Sequence, residues 1–151
     1  MKILFYSSIL TVIISFCSCA LLEPKDEILG RWEWECSWGG FNGDKITPES
    51  KGNTISIIFN KDNSYQEYNN GNLIETLHYE IPIEKKNRFG YLIIKINNVS
   101  YRAKVEQDFL LISPGVSDGF VAFYRKSDSK LPKRTPEEYL KYFLNSEENH
   151  N

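Results

Sequence analysis

From Gly30 onward apolar and polar residues alternate with period two, and Asn, Asp, Gly and Pro interrupt the pattern at short intervals. That is the signature of an all-β sandwich or barrel made of short strands. In Arg31–Trp38 the alternation puts Trp32, Trp34, Cys36 and Trp38 on one face and Arg31, Glu33, Glu35 and Ser37 on the other. A second strand, about Asn53 to Asn60, turns Ile55, Ile57 and Phe59 inward, and Lys61-Asp62-Asn63 leads into a third around Tyr65–Tyr68. Asn69-Asn70-Gly71-Asn72 then supplies Asn-Gly, the pair best suited to the positive φ angles of a tight hairpin turn. The fourth strand, Leu73–Ile81, stops at Pro82.

Four more strands follow: Tyr91–Ile96, Val99–Glu106, Phe109–Ile112 and Phe120–Arg125. Asn97-Asn98 and Gln107-Asp108 join the first three, and a loop between Pro114-Gly115 and Asp118-Gly119 leads to the last. Eight hairpin-linked strands predict an antiparallel up-and-down barrel, because closure removes exposed sheet edges. Helical spacing appears only at the end. Thr135-Pro136-Glu137-Glu138 reads as a capping box with proline at the first helical position, opening a short helix over about 136–144. Tyr139, Leu140, Phe143 and Leu144 share one side of it and should lie against the barrel wall. Asn145 to Asn151 is polar and is expected to be disordered.

The opening of the chain follows a different rule. Met1-Lys2 precedes an apolar run from Ile3 to Phe16. As a helix that run would rise about 22 Å, short of the roughly 30 Å of bilayer hydrocarbon, so a signal peptide fits it better than a permanent span. Phe16-Cys17-Ser18-Cys19, with small Ser18 just before Cys19, resembles the lipobox at which lipoprotein signal peptidase cuts. The resemblance implies a mature chain that begins at Cys19 and carries lipid there. Two acyl chains give a stable anchor at about 0.8 kcal/mol per buried methylene. An ordinary signal peptide cut nearby is the alternative. The organisation expected is thus residues 1–18 as signal peptide, 19–29 as a polar tether, 30–126 as the barrel and 127–151 as a C-terminal extension.

Composition narrows the function. The 133 residues after the signal make one domain, and losing Lys2 with no acid moves the formal charge from −2 to −3. Nucleic acid is not an expected partner of such a chain. With Cys17 removed and Cys19 acylated, Cys36 has no partner for a disulfide and reads as a small core residue.

Gly30-Arg31-Trp32 at the start of the first of eight strands resembles the Gly-x-Trp opening of the lipocalin superfamily. The wider set of Trp32-Glu33-Trp34, Gly39-Gly40, Gly43, Thr47-Pro48-Glu49-Ser50, Phe59, Tyr65, Tyr68-Asn69-Asn70-Gly71, Asp118-Gly119 and Tyr124-Arg125 is similar to the lipocalin-like lipoprotein domains of Gram-negative bacteria. This resemblance, over roughly Leu29 to Lys126, implies a calyx-shaped barrel with Trp38 to Gly52 as the long loop at its mouth. It also implies a structural floor of Gly30, Trp32 and Arg125, with the arginine packed over the Trp32 ring. The implied place is the bacterial cell envelope, at the periplasmic face or cell surface of the outer membrane. A helix after the eighth strand departs from the usual lipocalin order.

No metal spacing, nucleophile elbow or phosphate loop accompanies the strands, and neither a cofactor nor an enzymatic activity is expected. His78 stands alone among strand residues and reads as a surface histidine, and Glu33 and Glu35 read as solvated carboxylates. The aromatic load decides between hypotheses. Trp34, Trp38, Phe59, Tyr65, Tyr79, Tyr101 and Tyr124 are the candidate lining and mouth of a narrow cavity for a small apolar or amphipathic ligand. Their rings could instead fill the barrel, leaving a structural or interaction module. A third reading, sugar binding, needs Tyr65, Tyr68 or Tyr91 in a flat outward row.

Overall fold

The computed structural model describes residues 24–83, 86–116 and 119–148. The segment expected to be a signal peptide, Cys19 and the first part of the expected tether lie outside the described residues. Among the described residues nine strands form one antiparallel sheet: β1 (Gly30–Gly39), β2 (Asp44–Ile46), β3 (Ile55–Phe59), β4 (Ser64–Asn69), β5 (Asn72–Glu80), β6 (Leu92–Ile96), β7 (Val99–Glu106), β8 (Phe109–Ser113) and β9 (Val121–Lys126). Each strand from β3 to β8 pairs with its successor, β1 pairs with β3, and β9 returns to β1, so eight strands close an antiparallel up-and-down barrel. The ninth, β2, falls inside the segment expected to be all loop. It pairs with the upper end of β1 through Ser37↔Ile46 to Gly39↔Asp44, beyond the residues at which β1 meets β3. A single turn of helix, α2 (Pro48–Lys51), then leads back to β3, held by a Thr47–Ser50 capping box and by Gly52 in the left-handed region.

The turns follow their residues. Asn70 and Gly71 have φ of 49° and 78°, and Asn97 and Asn98 have 48° and 66°, as tight hairpins between right-twisted strands require. Gly39 has a different reason for its place. A Cβ there would sit 2.4 Å from the Gly119 carbonyl oxygen, so the β1 end passes the β8–β9 loop only without a side chain.

A β-bulge at Glu35 sets which rings go where. Trp34 is opposite Tyr124 while Cys36 is opposite Phe123, so one extra residue on β1 reverses the facing of everything after it. Trp32 and Trp34 stay inside as expected. Cys36 and Trp38 move to the outer wall, which corrects the single tryptophan face read from strict alternation. There they join Phe109, Leu111 and Phe123 under helix α3 (Pro136–Glu148), whose Tyr139 and Phe143 are almost fully buried. Thr135 and Glu138 make the expected reciprocal capping bonds. The helix runs to Glu148, past the expected end near 144, so residues 145–148 belong to it.

The barrel's closed end is built from Ile28, Trp32, Ile57, Phe59, Tyr79, Leu92, Ile94, Ala103 and Leu110. The last residues of the expected tether take part. Helix α1 (Pro24–Ile28) carries Asp26 and Glu27 in its first turn, and its Ile28 side chain is wholly buried. The Trp32 indole donates to the Ile28 carbonyl at 2.8 Å. On the neighbouring strand β9 the residue paired with Trp32 is Lys126, whose ammonium lies 5.5 Å from the ring centroid. Lys126, not Arg125, therefore covers the floor tryptophan. Arg125 points to the other face, because adjacent strand residues alternate, and it donates to Glu35 at 2.9 Å and to the carbonyls of Ser129 and Leu131.

Candidate functional site: a chamber in the upper barrel

Above the packed floor the side chains no longer meet. They leave a chamber of about 600 Å³ bounded by Tyr65 and Glu67 on β4, Glu75 and Leu77 on β5, Ile96 and Asn97 at the end of β6, Val99 and Tyr101 on β7, Ile112 and Pro114 by β8, and Phe120, Ala122 and Tyr124 by β9. That volume is in the range of small-molecule sites, about 300–1,000 Å³. A smaller recess of about 190 Å³ shares Phe120, Ala122 and Tyr124 and extends under the mouth loop to Trp34, Ser37, Ile46, Lys51 and Ile55.

Two backbone features shape the chamber. Strand β5 meets β6 at Tyr79↔Ile96 and Glu80↔Lys95, so its Asn72–Leu77 portion rises past the Asn97-Asn98 turn without a β6 partner. The Asn97 amide donates to the His78 carbonyl at 3.0 Å and closes the lower edge of this slot. A second bulge, at Ile74, leaves Glu67 opposite Glu75 and Tyr68 opposite Leu73. It keeps Glu75 on the chamber side and sends Leu73 outward, where it is 51% exposed.

The chamber's polar groups are carboxylates and phenols. Tyr65 donates to Glu67 at 3.2 Å. Burial first, and then neighbouring phenol and carboxylate charge, pushes the Tyr65 and Tyr124 hydroxyls above the ordinary phenol value, so both remain protonated through the physiological range. No hydrogen-bond partner of the Tyr101 or Tyr124 hydroxyl occurs among the described residues.

The seven aromatic candidates divide by position. Tyr65, Tyr101 and Tyr124 line the chamber, and Trp34 lines the recess beside it. Phe59 and Tyr79 belong to the floor, packed edge to face with ring centroids 5.1 Å apart, and the Tyr79 hydroxyl donates to the Asn60 carbonyl. Trp38 is on the outside, with the Lys45 ammonium 4.6 Å from its ring centroid. The outward tyrosine row that sugar binding would need is not formed: Tyr65 faces inward, Tyr68 lies beneath Arg31, and Tyr91 packs toward α3. Glu67, Glu75, Phe120 and Ala122 were not among the expected lining residues. Glu67 and Glu75 could have been found from the alternation of β4 and β5, which puts each in phase with an inward tyrosine.

Other candidate chemistry is quiet. His78 is exposed on the barrel wall. Cys36 is free and buried, and burial together with the Glu35 charge pushes its thiol up to about 12, so it is no nucleophile at neutral pH. No group of three or more metal-ligating side chains occurs among the described residues.

No protein-family model matches the chain. No curated protein matches it. Among solved structures it is similar to fatty-acid-binding protein 1 of Echinococcus granulosus, with 15% identity, a TM-score of 0.42, and coverage of 68% of this chain and 98% of that one.

Proposed function

We propose that this chain is a lipid-anchored binding protein of the bacterial envelope that carries a small apolar or amphipathic guest in its upper chamber. The observation that carries the reading is the 600 Å³ space itself, an open-mouthed hollow bounded by the barrel wall above a floor packed with Trp32, Phe59 and Tyr79. A purely structural module has no use for it, since an eight-stranded barrel can be filled by its own side chains. The sequence around Cys19 supports the anchor, and α1 begins five residues after that cysteine.

Titration with N-phenyl-1-naphthylamine, a neutral hydrophobic fluorophore, tests the binding. The mature protein should enhance its emission saturably at one site per chain. Ala122→Trp, which places an indole where chamber and recess meet, should abolish the enhancement while leaving the melting transition cooperative. Equal enhancement by wild type and Ala122→Trp would refute the chamber as the site. For the anchor, cells given radiolabelled palmitate should label the wild-type protein and not Cys19→Ser.

A further inference from the structure

We infer that the chamber selects amphiphiles bearing an amine or other cationic head over fatty acids, with Glu67 and Glu75 as the counter-charge. The inference rests on the binding reading above and names the class of guest. Glu67 and Glu75 are directly opposite each other across β4 and β5, both on the chamber wall. Like charges in that relation destabilise a sheet. No Lys, Arg or His lines the chamber, and neither carboxylate has an ion-pair partner among the described residues. A cation between them would relieve the repulsion and gain charge-assisted hydrogen bonds.

The rest of the wall suits the same guest. Tyr65, Tyr101 and Tyr124 offer ring faces, which attract cations through their quadrupoles, and hydroxyls that can accept from an ammonium. Glu75 stands beside the slot left by the unpaired stretch of β5, where a charged head can remain partly hydrated. Leu77, Ile96, Ile112 and Ala122 supply the apolar surface for a hydrocarbon tail. A carboxylate head in that place would meet two negative charges and no positive one.

Dodecylamine, dodecanol and dodecanoate share a tail and differ in charge. Each should be used below its micelle-forming concentration to displace N-phenyl-1-naphthylamine from the mature protein. The amine is expected to bind about tenfold more tightly than the alcohol, as a charge-assisted contact implies, and dodecanoate more weakly than either. In the Glu67→Gln/Glu75→Gln variant, which keeps side-chain shape, the amine should lose its advantage over the alcohol. If fluorophore and alcohol bind but the amine has no advantage, or keeps it in the double variant, the inference falls and the binding reading stands. If the fluorophore and all three compounds fail to bind, both fall.

Discussion

The Glu35–Arg125 pair allows burial and geometry to be separated in one experiment. Glu35 is the bulge residue of β1, its side chain is 6% exposed, and Arg125 is 17% exposed, with 2.9 Å between Nε and Oε1. Arg31 and Glu33 make a bond of nearly the same length, 2.8 Å, but with exposures of 39% and 35%. Removing one partner of a buried pair costs about 3–5 kcal/mol, because the other charge is left without compensation. Arg125 keeps the carbonyls of Ser129 and Leu131, so we expect Glu35→Gln to cost about 2–3 kcal/mol. Glu33→Gln should cost less than about 1 kcal/mol, as is usual for exposed pairs. Urea unfolding of the mature protein followed by circular dichroism measures both, and the melting temperature of Glu35→Gln should fall by roughly 8 °C. If the two variants lose equal stability, the claim that burial and not bond length sets the worth of the Glu35–Arg125 pair is wrong.

Two further outcomes follow from the cluster under α3. The Tyr139 hydroxyl is buried without a hydrogen-bond partner among the described residues, so Tyr139→Phe should raise stability by about 1 kcal/mol, the reverse of the usual effect of trimming a core residue, and a urea midpoint that falls would contradict this. For Cys36 the folded pKa of about 12 exceeds the unfolded value of 9.0, so the unfolded chain gives up its proton first as pH rises. This thiol's contribution is complete below pH 9 and is lost as pH climbs toward 12, so stability measured over that range should fall less steeply in Cys36→Ala than in wild type.

The strands were legible because each carries its own alternation and its own turn residues. Asn70-Gly71 and Asn97-Asn98 name their hairpins outright, and Thr135 to Glu138 names the helix start. What escaped were features with no local mark. A bulge adds one residue to one strand, and nothing in Trp34-Glu35-Cys36 says that it occurs there; yet it decides that Trp38 faces α3 and not a ligand. The placing of Arg125 over Trp32 came from the family resemblance, whereas the alternation of β9 itself, with Tyr124 inward, puts Arg125 outside and Lys126 on the face of Trp32. The helix docking does leave a sign in the sequence: Phe109-Leu110-Leu111-Ile112 has no polar break, and β8 is buried on both sides, inward by the barrel and outward by Phe143 and its neighbours. The chamber was least legible of all, because whether rings fill a space depends on how two walls approach each other and not on which residues either wall contains.

The plug formed by Ile28 beneath the Trp32 indole gives the molecule a direction. The chain enters at the sealed base, whereas the unpaired part of β5, the Asn97-Asn98 turn and Phe120 surround the opposite pole. Whatever precedes Pro24 therefore joins the barrel at its sealed base, at the pole opposite the aperture.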